Sequence, residues 1–114
     1  MSATTTEIKP IPFFKALADP IRLRIVHLLT LRPELCVCHL TEILTLPQSS
    51  ISRHLATLRN SGIVLTRKDG LWVHYRLAIG EGSPYIGIIR EVTKLAEIEP
   101  QLAEDAARLP ESTC

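Results

Sequence analysis

The sequence predicts a mainly α-helical domain that carries one β-hairpin, on three observations. Thr41 to Gly62 holds two short apolar-periodic segments separated by Pro47. Residues 63–77 read as two strands around an Asp-Gly turn. Hydrophobic residues reach 46% while aromatics supply only 4%, so the core must be aliphatic and rich in helix. A chain of 114 residues is long enough for one such domain and too short for two. The expected division is a disordered lead over 1–10, the domain over 11–109 and a mobile tail over 110–114.

Each element has a local cause. Ile11 to Ala18 is a short apolar helix. Asp19 before Pro20 is a start signal, a capping side chain followed by a first-turn proline whose missing N–H is not needed. The helix it opens runs to about Leu31, burying Ile21, Ile25, Leu28 and Leu29 and leaving Arg22, Arg24 and Arg32 in water; His27 is read as a tolerated helix residue. Pro33 ends it, and the next helix is expected from Glu34 to Leu46. After Pro47 a further helix buries Ile51, Leu55 and Leu58, and Gly62 stops it by adopting the left-handed cap. Ile63 to Arg67 and Trp72 to Leu77 are the strands, with Val73, Tyr75 and Leu77 inward and Trp72, His74 and Arg76 outward. Pro84 to Ile98 is a last long helix, and Gln101 to Leu109 adds acidic turns.

Steps of about 100° per residue place Ser49, Arg53, Ala56 and Asn60 opposite the apolar side of the Pro47–Gly62 helix, with Ser50 and Thr57 on one flank. A small, polar, singly basic face suits the DNA major groove, where Ser and Asn can donate and accept and Arg can grip a guanine edge or a phosphate. Charge placement agrees. Gln48 to Arg76 holds five bases against one acid, whereas Leu77 to Cys114 holds three against seven; the net charge of +1 excludes a protein that coats nucleic acid indiscriminately. The hairpin carries Arg67 and Lys68 directly after the helix, where a wing would meet phosphates. The architecture expected is therefore a winged helix-turn-helix, with Gln48, Ser49, Ser50, Ser52, Arg53, His54, Arg67 and Lys68 toward double-stranded DNA. His54 and His74 are read as facing phosphate or solvent rather than metal.

The last helix carries Tyr85, Ile88, Ile89, Val92, Leu95 and Ala96 as a wide stripe, with nothing left in the chain to cover it. This predicts a homodimer, with the first helix sharing the interface. No apolar run reaches membrane length and MSATTTEIKP lacks the marks of a signal peptide, so a cytoplasmic protein with no membrane partner is expected. Three cysteines in such a compartment suit metal or redox use better than a disulfide framework.

From Phe14 to Leu77, 64 of the 114 residues, the chain resembles the ArsR/SmtB family of winged-helix metalloregulatory repressors, in its arsenical-resistance branch. The motifs are ALADPIRLRIVHLL, ELCVCHL, SSISRHLATLRNSGIV and RKDGLWVHYRL, of which ELCVC points to arsenic. The resemblance implies a dimeric repressor of an arsenic-resistance operon, released from its operator when trivalent arsenic or antimony binds Cys36 and Cys38. It also implies that Ser49, Ser50, Ser52, Arg53 and His54 face the DNA. No obligatory cofactor and no enzymatic activity is expected; the metalloid is an inducer ligand. Zinc-sensing relatives use histidines along the last helix, and Pro84 to Leu109 has none.

Trivalent arsenic is a soft centre that favours two or three thiolates. Cys36 and Cys38 are about 200° apart on a regular helix, so joint binding requires that the helix start unwind or stay irregular. Where relatives often place a third cysteine stands Thr41, and where they place an acid stands His39, a poor partner for a soft centre. The third position is open to Cys114 from either subunit, hydroxide, a small thiol or an organic substituent; two thiolates suit singly methylated or aryl arsenicals. A thiol-redox repressor, with Cys36, Cys38 or Cys114 forming a disulfide, is the alternative, although cysteines within one helix are poorly aimed for it. An enzyme is weakly supported, since no acid, base or anion-binding loop accompanies the thiols.

Overall fold

A computed structural model describes residues 8–111. Six helices and three short strands follow in the order α1 (Pro10–Leu17), α2 (Pro20–Leu31), β1 (Leu35–Cys36), α3 (Val37–Leu44), α4 (Gln48–Asn60), β2 (Val64–Asp69), β3 (Trp72–Leu77), α5 (Ile86–Lys94) and α6 (Pro100–Ala107), with a 3-10 turn at Leu95–Glu97. The capping expectation at α2 holds. Asp19 accepts from the N–H groups of Ile21 at 2.9 Å and Arg22 at 3.0 Å. Burial opposes ionisation of Asp19, but the N–H of Arg22, the charges of Arg22 and His54 and the N–H of Ile21 outweigh it and hold the carboxyl below its ordinary range.

The core is aliphatic. Ile25, Leu28, Leu40, Ile51, Leu55, Leu58 and Ile63 are fully buried around Phe13. The strands form an antiparallel sheet of order β1-β3-β2, with Leu35 opposite Tyr75, Cys36 opposite His74, and Val64 to Asp69 opposite Leu77 to Trp72.

Several expectations are corrected. The third helix begins at Val37 and ends at Leu44, because Leu35 and Cys36 are extended and pair with β3. Pro10 opens α1, one residue before the expected Ile11. The turn centres on Gly70 and Leu71 rather than Asp69 and Gly70, since Asp69 already pairs with Trp72. Gly70 takes φ +64 there, which a side chain rarely adopts. His74 is buried, not outward, because β3 is the central strand and β1 covers it opposite His74. Arg22, Arg24 and Arg32 are half-buried and bonded rather than wet: Arg22 donates to the Ala16 carbonyl, Arg24 grips Asp105 and Arg32 donates to the Pro110 carbonyl.

The expected final helix is α5 finished by a 3-10 turn, and the expected acidic turns are α6, opened by Pro100. The stripe of that final helix is partly covered: Ile89 and Val92 are buried within the one chain as part of the core that includes α2, while Tyr85, Ile88, Leu95 and Ala96 stay half-buried. The stripe by itself therefore does not require a second copy. Apolar surface remains elsewhere, on Ile11 and Phe14 of α1 and on Ile98. Cys114 lies outside the described residues, as does most of the expected lead.

Candidate nucleic-acid interface and thiol site

α4 is presented by what holds its ends. α3 closes on Thr45, whose φ of 52 is left-handed and whose N–H returns to the Thr41 carbonyl at 2.9 Å. Leu46 and Pro47 complete the joint, and the Pro47 carbonyl accepts from Ser50 and Ile51. At the far end Ile63 donates to Leu58 and Gly62, at φ 83, to Arg59. That paired pattern is a Schellman cap, and it turns the chain directly into the wing.

Between these ends Ile51, Leu55 and Leu58 face the core, while Gln48, Ser49, Ser52, Arg53, Ala56, Arg59 and Asn60 are exposed and Ser50 and Thr57 are half-buried. Arg53, Arg59 and Lys68 form no ion pair among the described residues. Arg59, which the sequence reading left out, lies on the same exposed side of the helix. Two members of the expected DNA-facing set are engaged elsewhere. His54 turns toward the start of α2, with Nδ1 3.2 Å from Arg22 Nη1 and 3.8 Å from Asp19. Arg67 donates through Nε and Nη2 to the two Glu34 oxygens, at 3.0 and 2.7 Å. This fork holds the Glu34 carboxyl below its ordinary range and raises the Arg67 guanidinium.

Glu34 immediately precedes β1, so the same ion pair fastens the wing beside the cysteines. Cys36, 1% exposed, is the extended residue that precedes α3, with ψ 162; Cys38 is the second residue of that helix and is exposed. Of the two conditions set for joint binding, irregularity at the helix start is the one met. Cys36, Cys38 and His39 offer ligand atoms within 4.8 Å of one another. The two cysteines are joined as a disulfide with Cα atoms 5.3 Å apart, within the usual span. The objection to that bond from helical geometry falls away, since only Cys38 belongs to the helix.

Beside Cys38 a cavity of about 200 Å³ opens between the head of α3, Gln48 and the wing residues Leu71, Trp72 and Val73. No sequence signal identified it, because its walls come from three separate elements. Glu34 was missed for a similar reason, being 33 residues from Arg67.

An exposed polar helix, carried on a supporting helix by a short joint and followed by a β wing, defines a winged helix-turn-helix regulator. Residues 19–66 match the family described as bacterial regulatory protein, arsR family. Over 102 residues, 90% of this chain and 87% of the relative, the sequence is 42% identical to the arsenic resistance transcriptional regulator ArsR2 of Pseudomonas putida. It is 59% identical over 69 residues to the arsenical resistance operon repressor of Escherichia coli K12, covering 60% of this chain and 59% of that protein. The chain thus spans between half and three-fifths of the length of the first curated relatives it matches. In structure it resembles HlyU from Vibrio cholerae, with a TM-score of 0.67 and 32% identity over 88% of this chain and 99% of that one. The chain belongs to the arsR family of bacterial regulatory proteins.

Proposed function

We propose that this chain is a dimeric transcriptional repressor of an arsenic-resistance operon, and that trivalent arsenic or antimony releases it from DNA by binding Cys36 and Cys38. The relatives named for arsenic resistance support the operon. The observation that carries the mechanism is the position of the cysteines at the seam between β1 and α3. Cys36 belongs to a strand hydrogen-bonded to the wing, and Cys38 to the helix that supports α4. A metalloid bonded to both sulfurs fixes the angle between those two elements. Soft thiolates suit that centre, with Cys114, hydroxide or a small thiol as third ligand. A coupling of about 1–3 kcal/mol between the two sites lowers operator affinity about 5- to 150-fold.

On DNA, Gln48, Ser49, Ser50, Ser52 and Arg53 face the groove, and Lys68 meets phosphate from the wing. His54 and Arg67 act mainly by holding α4 and the wing in place. Two copies, meeting through the apolar surface of α1 and the C-terminal segment, present two α4 helices to half-sites about 34–36 Å apart. Such a protein works in the cytoplasm and catalyses nothing.

The test is fluorescence anisotropy of the reduced protein on the DNA upstream of its gene, titrated with arsenite and antimonite. Release by either, lost in Cys36→Ser and Cys38→Ser, supports the reading; binding that neither relieves overturns it. The disulfide favours a second reading, a thiol-redox switch. In that case oxidant releases DNA and reductant restores binding with no metalloid present.

A further inference from the structure

We propose that the cavity beside Cys38 receives the organic substituent of a trivalent arsenical, so that the preferred ligand is an aryl arsenic(III) species rather than arsenite. This rests on the reading that Cys36 and Cys38 hold the metalloid. The cavity measures about 200 Å³, is open to solvent on one side, and is lined by Val37, Cys38, Gln48, Leu71, Trp72 and Val73. A cavity of about 150 Å³ is enough for benzene. Leu71, in the wing's turn, is 99% exposed and Trp72, the residue after it, is 53% exposed, so two adjacent large apolar side chains stand open beside Cys38.

Valence makes the match specific. An arsenic(III) centre with one carbon substituent has two exchangeable positions, and the chain offers two cysteines there. From the dithiol form, R–As(OH)2 and two thiols give R–As(S)2 and two waters. Two As–O bonds break and two As–S bonds form. Each thiol proton leaves with a hydroxide as water, and arsenic stays trivalent. The As–C bond persists and occupies the third position, so no third protein sulfur is required and Thr41 is no defect. A ring on that arsenic, one bond from the Cys38 sulfur, enters the cavity and meets the Trp72 face in stacked or edge-on contact. It then touches the head of α3, the first residue of α4 and the wing together, which couples occupancy to both DNA-facing elements.

The test uses the full, reduced chain on its upstream DNA, titrated in parallel with arsenite and phenylarsenite, for the wild type, Trp72→Ala and Leu71→Ser. Phenylarsenite is expected to release the wild type at a concentration about tenfold or more below arsenite. In both variants the advantage shrinks to about threefold or less while the arsenite midpoint stays in place. Trp72 is the only tryptophan in the chain, so its fluorescence gives a direct reading, shifting with phenylarsenite and staying nearly unchanged with arsenite. Equal midpoints, an advantage that survives Trp72→Ala, or a silent tryptophan overturns the proposal and leaves the cysteine site standing. If Trp72→Ala weakens DNA binding alone and leaves ligand preference intact, Trp72 is a DNA contact and the proposal fails. If neither arsenical protects the two thiols from alkylation, the cysteine reading falls as well.

Discussion

Asp19 shows how much one side chain decides. It caps α2 with two hydrogen bonds and faces His54 of α4, so it serves a local and a long-range purpose together. Asp19→Ala is expected to cost about 1 kcal/mol, the usual loss of a capping carboxylate, read as a fall of several degrees in Tm. Because the folded carboxyls of Asp19 and Glu34 titrate below their unfolded values, their stabilisation is complete above about pH 4–5 and is lost as the pH falls through the lowered folded values. Acid denaturation should therefore begin earlier for the wild type than its neutral stability suggests, and Asp19→Asn with Glu34→Gln should flatten that limb in a pH series of melts. The cap was legible in the sequence because Asp-Pro is a local signal. The Glu34 fork was not, since nothing local ties residue 34 to residue 67.

At the level of elements the joint and the wing carry the argument. Thr45 is the only residue other than glycine with positive φ among those described, and a β-branched side chain there is strained. Thr45→Gly should stabilise the fold by about 0.5–1 kcal/mol in chemical denaturation, the relief being partly offset by the freer unfolded chain. Arg53 leads the exposed face of α4 and pairs with no acid among the described residues. Arg53→Ala should lower the slope of log affinity against log salt by up to about 2 for a dimer, at about 0.9 per lost phosphate contact; an unchanged slope would assign Arg53 to bases or to neither. Helix periodicity located α2 and α4 to within a residue or two, since both have one buried stripe and marked ends. β1 escaped notice because two residues carry no period, and missing it misplaced both His74 and the start of α3.

For the whole molecule, the C-terminal segment is fastened by charge as well as by apolar burial. Arg24 of α2 donates at 2.8 and 3.0 Å to Asp105 of α6, whose side chain is fully buried, and Gln101 donates to the same carboxylate. Asp105→Ala should cost about 2–3 kcal/mol, below the full penalty of breaking a buried pair because Arg24 keeps 16% exposure. The same change should weaken dimerisation, measured by sedimentation across concentration, if α6 positions the surface that includes Ile98. The chain's division into helices and a hairpin was readable from pattern alone. That α5 returns onto α2 was not, because an amphipathic stripe states that it will be covered without naming the cover. Finally, the seam that holds Cys36 on a strand of the wing's sheet and Cys38 on the next helix limits what can be transplanted. A chimaera given only residues 35–39 would inherit both sulfurs without the register that sets them side by side. Re-engineered specificity in such a regulator must therefore move the wing and the cysteines as one cassette.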